Sequence, residues 1–358
     1  MERKLATIRK IKEIRPIEGA DVIELAIVDG WQVVVAKNVG HKVGDLVVYC
    51  EIDSFLPIRE EFEFLRKSSY KKMGDQEGFR LKTIKLRGQI SQGLILPIMI
   101  LAPEGSDEIG LSIFKEAFEI GDESEIIGKD VSGSLGIVKY EPPIPAELAG
   151  KVKGNFPSFI PKTDEERIQN LAKEYEEWKY QSKHQFYVTE KLDGSSATYY
   201  VKDGGFGVCS RNLELLETEG NTFWKVAREL DLENKMKSLG KNISLQGELI
   251  GEGIQGNRYN LKGHTVRFYT AFDIDKYKRI SFGEMIEILD SFGLQSVPVL
   301  SQESPFLLPE SVEEMLKYAE GKSSLNEKKE REGLVVRSMD GTISFKAISN
   351  NFLLNSEE

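Results

Sequence analysis

Short apolar runs and turn residues alternate over the first 135 residues of the chain. β-Branched and apolar residues dominate four runs, at residues 5–8, 22–28, 31–35 and 46–49. Gly, Asp and Asn separate these runs, which predicts short strands. Asp29-Gly30 stands between two runs and is a strong hairpin signal, and Gly44-Asp45 and Gly121-Asp122 mark further turns. Many short strands that close on themselves predict a small β-barrel.

A proline-rich stretch follows the predicted strands. Five prolines fall between residues 139 and 162. This proline density, with few apolar runs, is typical of a connector and marks the predicted domain boundary. We therefore expect a first domain over residues 1–150, whose size fits an OB-like barrel, and a second domain over residues 151–358.

The second domain mixes helical and strand patterns. Thr163 and Glu166 have the spacing of a capping box, and apolar residues at helical spacing continue to about residue 180. Further helices are predicted at about 222–239 and 283–292, and a second capping box, Ser311 with Glu314, opens a fourth helix that stops at Gly321. Strands are predicted at 185–190, 196–201, 243–250, 266–274, 333–338 and 342–347. The pattern indicates the α+β class.

Composition narrows the class of protein. The chain has 358 residues, of which 40% are hydrophobic and 30% charged, as expected for a soluble protein of about two domains. No apolar stretch has the length of a membrane span. Two cysteines and three scattered histidines argue against a disulfide framework and against a Cys or His metal cluster. We expect a monomer of the reducing cytoplasm that has no membrane partner.

The net charge of −10 argues against a non-specific nucleic-acid coat. This overall charge hides a basic segment, residues 66–87, which carries eight basic and two acidic side chains. A run of charge is usually a solvated surface. Its confinement to one segment keeps open a role in binding nucleic acid.

Two Gly-rich strings imitate phosphate-binding loops. Gly321-Lys322-Ser323 resembles the end of a Walker loop, but Leu316 stands where that loop requires Gly. The string at 251–256 has the glycine spacing of the dinucleotide fingerprint, but the sequence after it cannot open a helix. We interpret both matches as coincidental.

A more informative string, Glu-Lys-Leu-Asp-Gly-Ser, lies at residues 190–195. A predicted strand brings Lys191 next to Asp193 and a Gly turn. A nucleophilic lysine must lose its proton, which burial or neighbouring cations favour. It also needs a second cation for phosphate, acids for a metal and an aromatic ring for a base. The downstream sequence supplies these groups in order, as Arg211, Glu248, Phe272, Glu332 and Lys346.

These ordered strings resemble the motifs of the covalent nucleotidyltransferase superfamily, which contains polynucleotide ligases and mRNA-capping enzymes. Lys191, Asp193 and Gly194 match the K-x-D-G motif. The whole chain is similar to ATP-dependent RNA ligases of the Deinococcus type, which carry an N-terminal OB-like domain. The strings at 156–170 and 87–94 are typical of such ligases. The resemblance implies an OB-like nucleic-acid-binding barrel followed by an ATP-grasp-like nucleotidyltransferase domain of antiparallel sheets flanked by helices.

The resemblance also implies the chemistry. Lys191 attacks the α-phosphorus of ATP and forms lysyl–AMP, AMP passes to an RNA 5′-phosphate, and a 3′-hydroxyl then displaces AMP. The cofactors are ATP and Mg²⁺ or Mn²⁺, which hard carboxylate oxygens suit. The substrate is RNA with 3′-hydroxyl and 5′-phosphate ends, as a duplex or a nicked strand.

The resemblance assigns side chains to each task. Contacts with ATP or AMP fall to Glu190, Lys191, Arg211, Glu248, Phe272, Glu332 and Lys346. Metal ligation, direct or through water, falls to Asp193, Glu248 and Glu332. RNA binding falls to Arg80, Lys82 and Arg87, in the basic segment. Phe272 would stack on adenine, and Arg211 and Lys346 would meet phosphate oxygens.

One position departs from the family pattern. Many ligases carry K-x-K in the last motif, whereas this chain has Ser344 and Lys346. Lys162 or Arg167 would then supply the missing charge, although both residues also read as ordinary helix-cap decoration. Three alternatives share much of this pattern: a DNA ligase, a GTP-using capping enzyme, and a non-catalytic RNA-binding OB protein. The catalytic motifs argue against the last.

Overall fold

The computed structural model describes residues 4–102, 126–141, 150–180 and 185–355, with 302–305 described by their backbone alone. The chain divides into two compact units, Met1–Ile144 and Pro145–Glu358, called here the first and second unit. The predicted domain boundary at residue 150 remains a prediction, and the turn predicted at Gly121-Asp122 lies outside the described residues. None of the helices formed by the described residues combines the length and hydropathy that crossing a membrane requires.

Short strands build most of the first unit. They are β1 Ala6–Lys10, β2 Glu13–Pro16, β3 Ile23–Val28, β4 Trp31–Ala36, β5 Leu46–Cys50, β6 Ser54–Pro57, β7 Tyr70–Met73, β8 Gln76–Arg80, β9 Thr83–Leu86, β10 Gln89–Gln92, β11 Leu94–Pro97 and β12 Val138–Lys139. Helical turns occur at α1 Arg66–Ser69 and α2 Ser132–Leu135, with 3₁₀ turns at Lys37–Val39, Glu60–Leu65 and Ile98–Leu101.

These strands form antiparallel sheets ordered β1-β5-β11, β2-β3-β4 and β12-β6-β8-β7, and a β9-β10 hairpin. Strand β5 is buried on both faces, since Val48 joins one hydrophobic cluster and Tyr49 joins another. The predicted hairpin turn is present between β3 and β4. Asp29 and Gly30 have φ of 45° and 83°, the left-handed pair that a two-residue hairpin turn requires.

The second unit contains two sheets, of seven and four strands. Its strands are β13 Val152–Asn155, β14 Phe186–Lys191, β15 Ser195–Lys202, β16 Gly205–Cys209, β17 Leu213–Leu215, β18 Ile243–Gly251, β19 His264–Asp273, β20 Lys278–Arg279, β21 Val299–Phe306, β22 Gly333–Ser338 and β23 Ser344–Ile348. Its helices are α3 Ala172–Tyr180, α4 Thr222–Glu229, α5 Leu232–Ser238, α6 Phe282–Ser291, α7 Val312–Tyr318 and α8 Asn350–Asn355. The sheets are ordered β13-β17-β16-β15-β18-β19-β20 and β21-β14-β22-β23.

Helices cover one face of each sheet. The long sheet buries Tyr199, Leu245 and Phe268 against α4, α5 and α6. The shorter sheet buries Val188 and Val336 against α3 and α7. Because side chains alternate along a strand, the residues between these core positions line the opposite faces, and those faces carry the site described below.

Two helix predictions were wrong in detail. Residues 161–166 are not helical; a 3₁₀ turn at Ile168–Leu171 precedes α3. Thr163 does not cap a helix, because its hydroxyl hydrogen-bonds the hydroxyl of Tyr269 at 2.9 Å. The helix predicted at 222–239 is instead α4 and α5, separated at Asp231, whose φ of 53° breaks the helical path. At the second predicted capping box the N-cap is confirmed, since the Ser311 hydroxyl accepts from the backbone of Glu314. The Glu314 side chain accepts from the backbone of Glu310 rather than from that of Ser311.

Candidate active site

Lys191 is the last residue of β14, and strand register places it opposite Gly333 on β22. Its ammonium donates to Glu332 Oε1 at 2.5 Å. The pair is mostly buried, with 27% of the lysine side chain and 16% of the glutamate side chain exposed. The pairing of β14 with β22 therefore brings together Lys191 and Glu332, two motif residues that lie far apart in the sequence.

Gly194 explains why this lysine motif ends in glycine. A Cβ at this position would lie 2.5 Å from the carbonyl oxygen of Leu249 on β18, closer than atoms can approach. The absence of a side chain lets the turn after Lys191 press against β18. In that turn the backbone N–H of Asp193 donates to the hydroxyl of Tyr259 at 2.6 Å, which fixes the aspartate backbone.

Glu248 approaches from the other sheet. It lies on β18 opposite Ser196. Burial raises the pKa of Glu248 to about 8; Lys191 opposes this shift. The carboxylates of Glu332 and Asp193 add to the rise in this pKa, so the three acids lie close enough to repel one another.

The lysine is consequently held in its charged form. Burial alone would lower the pKa of Lys191, but the carboxylates of Glu332 and Glu248 raise it above its ordinary value. Burial, followed by the charge of Glu332, also raises the pKa of Asp193. Of the two predicted means of deprotonating the lysine, burial acts in the expected direction, but the surrounding carboxylates outweigh it.

Three acids share this site with Lys191 and with Arg258, whose Nη1 lies 4.0 Å from Asp193 Oδ2. The raised pKa values of Glu248 and Asp193 indicate that these cations do not fully stabilise the ionised acids, as a further cation would. The residues present therefore fit a divalent ion in donor type and charge. Among the described residues, however, no group of three His, Cys, Asp or Glu side chains is close enough to hold an ion directly. Metal ligation by Asp193, Glu248 and Glu332, direct or through water, stays a prediction.

Residues 162–167, called here the crossing segment, contact both sheets. Thr163 bonds Tyr269 on β19, and the ammonium of Lys162 donates to the side-chain carbonyl of Asn212 at 3.0 Å. Arg167, which is buried, forms a parallel bridge with Lys346 on β23. Both predicted replacements for the missing charge thus lie in the crossing segment, and Arg167 is also the N-cap residue of the 3₁₀ turn Ile168–Leu171, without a side-chain capping hydrogen bond.

The two predicted phosphate cations converge on this segment. Lys346 Nζ lies 3.3 Å from Asp164 Oδ1. Arg211 Nη2 lies 3.4 Å from Asp164 Oδ2. Asp164 is not among the residues to which the resemblance assigns a role, although it lies within the string at 156–170 that is typical of such ligases.

Ser344 lies within a buried ionic network. Its hydroxyl accepts from Arg279 Nη1 at 3.0 Å, and the carboxylate of Glu165 lies 2.8 Å from Arg337 and 4.0 Å from Arg279. Burial would raise the pKa of Glu165, but Arg337 and Arg279 hold it below its ordinary value. Arg279 therefore places a cation beside the serine that replaces the family lysine. The two-residue strand β20 that carries Arg279 gave no signal in the sequence.

The predicted adenine platform, Phe272, lies apart from these groups. It is buried in a cluster with Ile160 and Tyr200. It pairs with Ser244 on β18, which is four residues, or about 13 Å at the rise of a strand, from Glu248. The structure places Phe272 in this cluster, packed with Ile160, rather than beside Lys191.

Tyr269 is the aromatic residue that the site contacts instead. Register shifts between Gln246 and Gly247, so Tyr269 is the extra residue of a β-bulge, and bulges re-aim side chains. A Cβ on Gly247 would lie 2.6 Å from the carbonyl of Arg267, so the bulge needs this glycine. Tyr269 lies three positions before Phe272 in one aromatic string, but a bulge cannot be read from sequence.

Glu190 is also placed differently from its prediction. Its side chain lies on the opposite face of β14 from Lys191, because adjacent strand residues alternate. There it is buried, and its Oε2 accepts from the backbone of Ser324 at 2.7 Å. The predicted contact of this carboxylate with ATP is not supported, whereas its backbone remains beside the lysine.

The predicted RNA-binding residues lie in the first unit and differ in exposure. Arg80 pairs with Asp53 at 2.9 Å and stacks over the ring of Tyr140 at 4.7 Å. Lys82 and Arg87 are exposed, and Arg87 occupies the β9-β10 turn with φ of 50°. Arg80 therefore has a structural role within its unit, whereas Lys82 and Arg87 lie on the surface of that unit.

Comparisons with known proteins agree with this geometry. A family model of an OB-fold domain matches residues 5–98, and a family model described as RNA ligase matches residues 184–349. A search of curated proteins found no match.

Solved structures of Naegleria gruberi RNA ligase are similar to the whole chain. A variant of that protein with AMP and Mn is 42% identical, with a TM-score of 0.80 and coverage of 99% of each chain. A second variant with ATP and Mn is 42% identical, with a TM-score of 0.79 and the same coverage. The protein with PPi is 43% identical, with a TM-score of 0.78 and coverage of 98% of each chain.

These findings confirm the resemblance and the fold class inferred from the motifs, an OB-fold domain followed by a ligase domain of antiparallel sheets with helices. The motif residues Lys191, Glu332 and Glu248 lie together in the matched region. On these matches, the chain belongs to the RNA ligase family.

Proposed function

We propose that this RNA ligase uses ATP to seal RNA 3′-hydroxyl and 5′-phosphate ends through lysyl–AMP and RNA-adenylate intermediates. The observation that carries the proposal is the buried Lys191–Glu332 pair at 2.5 Å, with Glu248 and Asp193 around it. A lysine so placed is a nucleophile held beside a proton acceptor and in a field of carboxylates. The Naegleria structures with ATP and with AMP support ATP over GTP as the nucleotide.

In the first step Lys191 Nζ forms a bond to the α-phosphorus, and the bond to the leaving pyrophosphate breaks. The ammonium must first lose a proton, and Glu332 Oε1 is the hydrogen-bonded acceptor for it. Lys346, Arg211 and Arg167 would neutralise the phosphate oxygens, since phosphoryl transfer relies on positioning and charge. Tyr269 takes the place of Phe272 as the ring that would stack on the base.

Asp193, Glu248 and Glu332 would hold hydrated Mg²⁺ or Mn²⁺ in this site. When bound, such an ion neutralises developing charge on the phosphate and lowers the pKa of the neighbouring ammonium. The relatives solved with Mn support a divalent ion of this kind. The chain's own contribution is the cluster of acids that Lys191 alone cannot balance.

The second and third steps need the polynucleotide. AMP moves from Lys191 to the 5′-phosphate, and the 3′-hydroxyl then forms the phosphodiester as AMP leaves. We propose that the exposed basic residues of the first unit hold a duplex or nicked strand, because no acidic residue interrupts residues 78–102. The protein acts as a monomer. It acts in the cytoplasm, where its two buried cysteines stay reduced.

The test is to incubate the full chain with α-labelled ATP or GTP and a divalent ion, and then with nicked duplexes. The expected result is a covalent adduct with ATP, released as AMP when a nick with an RNA 3′-hydroxyl strand is added. Equal labelling by GTP would favour a capping-type enzyme. Equal sealing of all-DNA nicks would favour a DNA ligase.

A further inference from the structure

Asp164 occupies the middle of the crossing segment, and its neighbours fix its position. The hydroxyl of Thr163 is hydrogen-bonded to the hydroxyl of Tyr269 at 2.9 Å. The carboxylate of Glu165 accepts a hydrogen bond from Arg337 at 2.8 Å. The carbonyl of Glu166 accepts from the backbone of Lys346 at 2.8 Å. With both flanks held, the backbone at Asp164 cannot drift away from the site.

The Asp164 carboxylate bridges cations that come from different sheets. Oδ1 lies 3.3 Å from Lys346 Nζ on β23, and Oδ2 lies 3.4 Å from Arg211 Nη2, just after β16. One oxygen faces each cation, as two oxygens of a phosphate would. Both distances exceed the 2.5 Å of the Lys191–Glu332 pair, so these ion pairs are looser and easier to exchange.

Lys346 and Arg211 are the cations that the proposed function assigns to the phosphates of ATP. A fixed negative charge between them stabilises them when the site is empty, and it repels a polyphosphate that approaches the same groups. We propose that Asp164 is an internal counter-anion that occupies the polyphosphate position and yields it when ATP or pyrophosphate binds. This inference rests on the proposed function, since it concerns the same phosphate cations.

If Asp164 is a counter-anion, its loss should change the affinity for polyphosphate in the opposite direction from the loss of a merely structural residue. If Asp164 only held the two cations in place, its loss would weaken polyphosphate binding, because Lys346 and Arg211 would become disordered. If Asp164 competes with phosphate, its loss strengthens binding and slows pyrophosphate release. The Asp164→Asn variant keeps the size of the side chain, removes its charge and replaces one acceptor oxygen by a donating amide group.

The experiment measures binding of inorganic pyrophosphate to the full chain by calorimetry, without any chemical step. We expect Asp164→Asn to bind pyrophosphate about tenfold more tightly at low salt, the effect of removing one unit charge near the ligand. The gain should shrink at high salt, because screening weakens the repulsion. The matched control is Asp203→Asn, which removes an exposed aspartate that pairs with Lys202 outside the site and should leave affinity unchanged.

Single-turnover labelling with ATP gives a second readout. Asp164→Asn should lower the ATP concentration at half-maximal rate and increase inhibition by added pyrophosphate, whereas Asp203→Asn, outside the site, should leave both unchanged. Weaker or unchanged pyrophosphate binding in Asp164→Asn would overturn the inference. If that variant does not fold, Asp164→Ser is measured in its place. Failure of the wild type to react with ATP would instead overturn the proposed function, while the pyrophosphate measurement would still decide this inference.

Discussion

The two units of this RNA ligase use charge in opposite ways. In the second unit, charged groups of the site are largely buried and paired, as Lys191 is with Glu332 and Arg337 with Glu165. In the first unit, Lys82, Lys85 and Arg87 are exposed. Burial perturbs pKa values and makes each partner costly to remove, whereas exposed charges act through a field that salt screens. Mutations in the two units should therefore differ in size and in salt dependence.

The largest effect is expected at the nucleophile. Lys191→Ala should abolish labelling by ATP, because no other group of the site carries an amine at the end of β14. The matched control is Lys202→Ala on β15, a lysine of the same unit that pairs with Asp203. Covalent label on the Lys191→Ala protein, measured after denaturing electrophoresis, would contradict the assignment.

Loss of one acid should have the next largest effect. Glu332→Ala or Glu248→Ala should each reduce the rate of adenylation by roughly 10²- to 10³-fold, the usual cost of removing one electrostatic interaction with a transition state. The change is measured in single-turnover reactions with saturating ATP. Exposed Glu229→Ala on α4 is the control, and a loss under fivefold in both site variants would contradict this role.

Much of this site could be predicted from sequence because its residues stand at strand ends. A strand followed by Gly fixes where a side chain emerges, and K-x-D-G at Lys191 and E-G at Glu332 each have that form. Antiparallel pairing then makes two distant motifs neighbours, as β14 and β22 do. Residue type and order sufficed here, since the geometry follows from regular pairing.

The sequence failed where regular geometry ends. Thr163 and Glu166 match a capping box, yet the chain there stays extended and Thr163 bonds Tyr269. Tyr269 reaches the site through a bulge that its sequence does not announce. Each error depends on tertiary contacts that local patterns do not contain.

The pH dependence of adenylation should sharpen the contrast between buried and exposed charge. The acids around Lys191 raise its pKa, so the amine is protonated near neutral pH and the rate should rise with pH. A divalent ion that neutralises Glu248 and Glu332 removes this stabilisation of the ammonium. The pH midpoint should therefore move down, by about one unit or tenfold in rate, as Mg²⁺ increases.

The measurement is a set of single-turnover pH profiles at two Mg²⁺ concentrations. Glu248→Gln supplies an independent check, because removing one negative charge should also move the midpoint down, even at the lower Mg²⁺ concentration. A midpoint that rises with Mg²⁺ would show that the ion does not act on these carboxylates.

The smallest effect is expected in the first unit. Replacing Lys82, Lys85 and Arg87 together by Gln should leave adenylation unchanged and lower nick sealing severalfold, because these side chains would act on the polynucleotide alone. The dependence of sealing on salt should flatten, by up to about 0.9 in logarithmic slope for each phosphate that is no longer neutralised. Sealing is measured at two salt concentrations and adenylation at one.

Arg80 serves as the contrasting variant within the same segment. Because it pairs with Asp53 and stacks on Tyr140, Arg80→Gln should lower the melting temperature by a few degrees, as the loss of about 1 kcal/mol does in a domain of this size. The triple variant removes no such contact at Arg87, whose turn conformation Gln can adopt at similar cost. Equal loss of adenylation and sealing in the triple variant, with an unchanged melting temperature, would mean that the exposed charges serve the ATP step. The separation between a buried site for nucleotide chemistry and an exposed surface for RNA would then fail.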